Sequence, residues 1–172
     1  MTIGVSLNFR TQAWAQETGV VVICLLTITH DDLDEPILLS TDPTQRLYEY
    51  GADQIYGTVS RGDEYVFFPM SLKLPDDTDD GPRSMTIEID NVGREYMEIL
   101  RSISGQPKVN TEIVLSNDLD TVEAAWPEFL ITHISANAGT VTMPLTMETL
   151  NNEPFPAMSF TPGSAPGLFR RL

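Results

Sequence analysis

The stretch VVVICLLTIT at residues 20–29 constrains this chain more than any other. It holds no charge and is dominated by β-branched side chains, which suit a pleated, covered surface better than a helix. The apolar part, residues 19–28, is about half of what a helix needs to cross a bilayer. It therefore reads as a buried strand. The charged stretch HDDLDEP at 30–36 competes with ladder pairing through its short polar side chains, and Pro36 ends any strand there. ILLST at 37–41 supplies a return strand, so residues 20–41 read as a hairpin.

The flanking segments carry other periods. Residues 6–16, SLNFRTQAWAQ, read as a short helix capped by Ser6, with Phe9, Ala13 and Trp14 on one side and Gly19 beyond its end. Residues 42–63 are polar and weakly patterned. Strand-like pieces at 54–60 and 64–70 flank the turn signal of RGDE at 61–64. KLPDDTDDGP at 73–82 reads as a solvated loop. Met85, Ile87 and Ile89 alternate with polar residues, which marks a half-buried strand. Over 91–104 the period changes to 3.6, with Val92, Tyr96, Ile99, Leu100 and Ile103 on one face, a start capped by Asp90 or Asn91, and a stop at Gly105. Val109, Thr111, Ile113 and Leu115 again alternate, as do Phe129, Ile131 and His133. Asn137-Ala138-Gly139 signals a tight turn before a return strand through Val141, Met143, Leu145 and Met147. Pro144 lies inside that strand and has no N–H to donate, so an edge position or a bulge is expected there.

The expected fold class is mainly β: a barrel- or sandwich-like α+β domain of antiparallel strands with one or two short helices. Residues 1–150 form the domain, and residues 151–172 form an extended Pro-rich C-terminal arm. The arm contains four prolines and two glycines among Phe155, Phe160, Leu168 and Phe169. Proline at that density prevents helix and central strand, yet the rings need cover. An extended arm laid on a neighbouring surface, that of its own domain or that of another subunit, meets both demands. The expected subunit-interface residues are Phe155, Phe160, Pro162, Pro166, Leu168 and Phe169, with Arg170 and Arg171 as a basic tip.

Charge and chemistry narrow the function. The net charge is −15, with 25 acids against 10 bases, which opposes a phosphate-gripping surface. The excess is heaviest in residues 1–80, where 14 acids face 4 bases. No apolar segment follows a basic start at the N-terminus, so cytoplasmic synthesis is expected. The single cysteine, Cys24, sits in the most apolar run and reads as a small hydrophobe. His30 reads as part of a solvated hairpin tip, and His133 as a structural strand residue. Asp76, Asp77, Asp79 and Asp80 lack EF-hand spacing and read as a solvated loop rather than a calcium site. Arg61-Gly62-Asp63 reads as a turn, not an adhesion signal. No phosphate-binding, nucleophile-elbow or zinc-protease motif occurs. The expectation is no catalysis, no metal and no cofactor.

Three stretches carry a resemblance: FFPMSLKLPDDTDDGPRSMTIEIDN, SISGQPKVNTEIVLSNDLD, and WPEFLITHISANAGTVTMPLTMETLNNEPFPAMSFTPGSAPGLF. Over roughly residues 19–169 their order resembles a family of tailed-phage proteins that is similar to the N-terminal domain of the lambda-type minor tail protein L. The resemblance implies a virion structural protein of a long non-contractile tail. It would form part of the tail tip or baseplate hub, assembled as a homotrimer. Its partners would be the distal tail protein, the central fibre or hub protein and the tape measure. DNA would pass through without specific binding, and an acidic lining would not retain it. The lambda-type relative carries a cysteine-rich region with an iron–sulfur cluster. Here, with Cys24 alone, no ligands carry over. The alternatives are another tail protein (distal ring, tube or tail-completion), a host-surface ligand-binding module using the four-Asp loop with Trp14 or Trp126, and a hydrolase dependent on His30 or His133.

Overall fold

The computed structural model describes residues 5–51, 53–74, 84–90, 105–137 and 139–147, together with 161 and 164. One helix, α1 (Leu7–Trp14), precedes the strands. They are β1 (Val22–Thr29), β2 (Ile37–Ser40), β3 (Gln45–Tyr50), β4 (Asp53–Ser60), β5 (Asp63–Phe67), β6 (Met70–Lys73), β7 (Ser84–Asp90), β8 (Lys108–Leu115), β9 (Ala124–Ile131), β10 (Ser135–Ala136) and β11 (Thr140–Met147). The protein is mainly β, as expected. The helix expected at 91–104, most of the acidic loop and nearly all of the arm lie outside the described residues.

All strands join one sheet in the order β3-β4-β5-β2-β1-β8-β9-β11-β7-β6, with β10 added beside β11. The expected hairpin is present: Leu25 to Ile28 pair with Ser40 to Ile37 in antiparallel register. One pairing departs from the all-antiparallel expectation, because β2 and β5 run parallel at Leu39↔Val66 and Ser40↔Phe67.

That parallel contact closes the fold. Only residues 68 and 69 separate β5 from β6, yet β5 lies beside β2 and β6 lies beside β7. The segment crosses from the β2 side of the path to its β7–β6 end. Phe68 N–H donates to the Ser40 carbonyl at 2.8 Å, and the Pro69 carbonyl accepts from Asp90 N–H at 3.0 Å. Pro69 needs no donor partner at this corner. The sequence offered 64–70 as one strand; the structure bends it at Pro69 and divides it between two neighbours. Strands β2, β1, β8, β9, β11 and β7 thus close through β5 and β6 into a barrel, which leaves the β3–β4 hairpin standing outside it. Thr111 of β8 donates through its hydroxyl to the Met85 sulfur of β7 at 3.5 Å, although two strands separate β8 from β7 along the sheet. This contact spans the barrel interior.

The apolar run in β1 is explained by cover on both faces. Leu26 and Ile28 enter the interior core with Ile87, Val109, Phe129, Met143 and Leu145. Ile23 and Leu25 point the other way, into a smaller cluster with Tyr65 and Val114. Two irregularities aim the core. Asn110 faces two residues, 127 and 128, because the β8–β9 register shifts between Val109↔Phe129 and Thr111↔Trp126. Glu128 takes φ 60° there, and the Asn110 side-chain carbonyl accepts its N–H at 2.9 Å. The bulge turns Phe129 inward.

The second irregularity serves Pro144. Its strand is internal, between β9 and β7, so the edge alternative is corrected. Residues 132–134 face only 143–144 between the pairs Ile131↔Leu145 and Ser135↔Thr142. This bulge in the segment between β9 and β10 is where the missing donor costs nothing, and the Pro144 carbonyl still accepts from Thr132 N–H at 3.2 Å.

The turns obey local chemistry. Ser60 pairs with Asp63, and Arg61 and Gly62 take φ of 53° and 93°, the left-handed pair that a tight two-residue hairpin requires. The Asn137 side chain accepts from Gly139 N–H at 3.0 Å and Thr140 N–H at 2.7 Å, which fixes the β10–β11 turn.

Candidate interaction surface

Apart from Leu74 after β6, the described surface presents its large exposed apolar side chains in two places. The first is α1 and the strand entry that follows. Ser6 caps the helix, its hydroxyl accepting from Phe9 N–H at 3.0 Å, as the sequence suggested. Glu123 reaches across from the β8–β9 connection. It is only 5 % exposed and accepts from Ser6 N–H at 2.8 Å and the Ser6 hydroxyl at 2.6 Å. No residue of α1 is buried. Trp14, which helical spacing sets on one side with Phe9 and Ala13, is 88 % exposed, and Leu7 is 80 % exposed. A shallow hollow of about 270 Å³ lies beside the helix, lined by Phe9, Gln12, Ala13, Val20, Val22 and Leu115. The helix is thus held mainly at its N-terminus. Glu123→Ala is expected to lower protection of the Phe9 amide about tenfold in hydrogen exchange, on the order of 1 kcal/mol for the lost cap support, while leaving the barrel midpoint nearly unchanged.

The second place is the β3–β4 hairpin. Tyr48, Tyr50, Tyr56 and Val59 are all exposed, Tyr50 to 72 %. Tyr48 and Tyr50 share one face, opposite Ile55 and Asp53, while Glu49 lies on the other face opposite Gln54. Arg46 pairs with Glu49 on that face, and the Tyr56 hydroxyl donates to the Gln54 side chain at 3.0 Å. β3 was missed in the sequence because its six residues face solvent almost throughout, and exposure erases the alternation that marks a strand.

The hairpin is anchored on the barrel by polar contacts. Ser40 and Thr58 are buried and share a hydroxyl–hydroxyl bond of 2.8 Å. Ser60 donates to the Leu119 carbonyl at 2.6 Å, and Arg61 N–H donates to the Asp120 carboxylate at 2.6 Å. The Arg61 guanidinium pairs with Glu112. That carboxylate raises the arginine above its ordinary value against the opposing effect of partial burial. The tripeptide at 61–63 is therefore a structural turn whose arginine is engaged within the chain.

The residues weighed for chemistry fall apart in space. His30 is not part of a solvated tip, which corrects the expectation: its side chain is only 13 % exposed. Its Nδ1 accepts from Asp32 N–H at 3.0 Å, and its ring lies against Gly105, where a Cβ would come within 3.0 Å of Nε2. Gly105 also takes φ 128°, a conformation that favours glycine. His133 is exposed and follows the end of β9. Cys24 is half-buried on β1, and burial pushes its thiol up, as suits a small hydrophobe rather than a nucleophile. Trp126 packs partly buried on the core. Among the described residues, no three His, Cys, Asp or Glu side chains gather as a metal site. The Asp76, Asp77, Asp79 and Asp80 loop lies outside the described residues. So do Phe155, Phe160, Pro162, Pro166, Leu168, Phe169, Arg170 and Arg171. Within the arm, the Thr161 carbonyl accepts from Ser164 N–H at 3.1 Å.

No curated protein matches the chain. The family described as "domain of unknown function (DUF1833)" matches residues 8–160, a span that takes in α1 from its second residue and every strand of the barrel. The chain belongs to the DUF1833 family.

Proposed function

We propose that this protein is a non-enzymatic structural subunit of a long non-contractile phage tail, placed at the tail tip or baseplate hub. The observation that carries the reading is the outward display of apolar and aromatic side chains on two elements outside the closed barrel. These are Leu7 and Trp14 on α1, and Tyr48, Tyr50 and Tyr56 on the β3–β4 hairpin. Exposed aromatics on a rigid, acidic body suit burial by neighbouring subunits. The resemblance over residues 19–169, and the aromatic Pro-rich arm that ends it, support the same reading. The subunit joins the distal tail to the central fibre region, and its mechanism is assembly rather than turnover. A closed ring of three copies uses heterologous contacts, in which each subunit presents different patches to its two neighbours.

The test is made in virions. Quantitative mass spectrometry of purified tails is expected to find three copies of this chain per tail. A chain ended after Leu150 is expected to fold but to be missing from particles, which then fail to infect. Infectious particles assembled with the shortened chain, or tails that lack the protein altogether, would refute the proposal. Six copies would move it to the distal ring or tube.

A further inference from the structure

We infer that the open edge of β3 is a β-addition site for the segment at residues 168–172 of a second copy of this chain. The inference deepens the assembly reading and rests on it, because the contact forms only between copies. β3 ends the strand path, and among the described residues no strand pairs with its outer edge. Such an edge offers main-chain donors and acceptors to an extended segment.

Charge selects the occupant. Residues 42–64 hold five acids and two bases, and both bases are engaged locally, Arg46 with Glu49 and Arg61 with Glu112. Pairing β3 with another β3 in the register that sets Glu49 opposite Glu49 is disfavoured, and such a pair brings no net positive charge to an acidic edge. A basic segment is favoured instead. The sequence contains one adjacent pair of bases, Arg170 and Arg171, set among Leu168, Phe169 and Leu172.

Register makes the match specific. Directly opposed residues share a face of a sheet. A strand that sets Arg170 opposite Glu49 places Phe169 and Arg171 on the face of Tyr48 and Tyr50. There, ring–ring and cation–ring contacts are available in either strand direction. The same register keeps Leu168 and Leu172 on the face of Glu49, the face that also carries Gln54 and Tyr56 one strand further in. Head-to-tail addition of this kind propagates from copy to copy and closes when the rotation allows.

The test uses the full chain carrying Arg170→Glu and Arg171→Glu as receptor, so that its own segment does not compete. The probe is a fluorescent peptide of residues 164–172, read by anisotropy. Saturable binding is expected. It should weaken at least tenfold with Glu49→Lys, several-fold with Tyr50→Ala, and with rising salt. The receptor and each variant are checked for an unchanged β-sheet circular dichroism spectrum. In sedimentation velocity, the unsubstituted chain should associate with concentration and the receptor variant should not. Absence of saturable binding, or binding indifferent to Glu49→Lys, overturns the inference. So does peptide binding with an unsubstituted chain that stays monomeric, since the segment then returns to its own chain. If the peptide fails while tails still carry three copies, the β3 site falls and the assembly reading stands.

Discussion

Gly57→Ala should destabilise the protein by about 3 kcal/mol in urea unfolding, far more than one methyl group ordinarily costs. The cause is distance. A Cβ at position 57 would lie 1.9 Å from the Tyr65 carbonyl oxygen, 2.8 Å from Leu47 Cδ1 and 3.0 Å from Phe67 N. The leucine methyl can swing away, but the carbonyl and amide belong to β5 and are fixed by the ladder. Gly57 pairs with Gln45 on one side and Val66 on the other, so moving either strand disturbs the whole β3–β4–β5 corner. Part of the loss is expected as local opening, seen as faster hydrogen exchange in β3 and β4 than in β8. Gly19 supplies the control. A Cβ there meets nothing within 4 Å, and Gly19→Ala should stay within about 0.5 kcal/mol of the parent. Equal effects at the two positions would show that the corner is not as tightly closed as described.

Phe129→Ala should cost about 4 kcal/mol, the middle of the range for truncating a large core aromatic. Phe129 is the largest fully buried side chain among the described residues. It sits between β8 and β11, opposite Val109 and Met147, in an interior walled by paired strands. Such a wall cannot collapse to fill the space, so most of the cavity term remains. Phe129→Leu should cost only about 1–2 kcal/mol, because most of the volume is kept. Asn110→Ala gives an independent reading of the same site. It removes the acceptor for Glu128 N–H and loosens the bulge that orients Phe129, with an expected loss of about 1 kcal/mol. A loss for Asn110→Ala as large as that for Phe129→Ala would mean that the bulge sets the register of the whole strand.

Much of the β architecture was legible because buried strands keep their alternation. Met85, Ile87 and Ile89 alternate in sequence and are all buried. The Ser6 cap and the turn at 61–63 were legible because each follows from one residue's local chemistry. Three features were not. β3 faces solvent, so nothing in its pattern distinguishes it from a loop. Trp14 lies at helical spacing with Phe9 and Ala13, but spacing shows only that residues share a side, not that the side is covered. The closure at Pro69 depends on which strands become neighbours, and the choice between β2 and β7 as partners of one segment leaves no local mark. The site followed the same division. The sequence placed the contacts in the arm, whose aromatics stand out among prolines. The exposed tyrosines of the hairpin escaped notice because their exposure follows from topology.

Barrel closure also bears on the order of events during synthesis. Val22 of β1 pairs with Leu115 of β8, and β7 completes its pairing only when Thr140 to Thr146 are present. Strand β1, the most apolar in the chain, therefore leaves the ribosome long before its second partner exists. The contact order is high, so loop-closure entropy must be met before the interior rewards it. Folding is then slow and late, and the early chain carries an uncovered sticky strand through most of translation. The acidic excess of residues 1–80 sits in the part that waits longest, where mutual repulsion between nascent chains restrains aggregation until the barrel can shut.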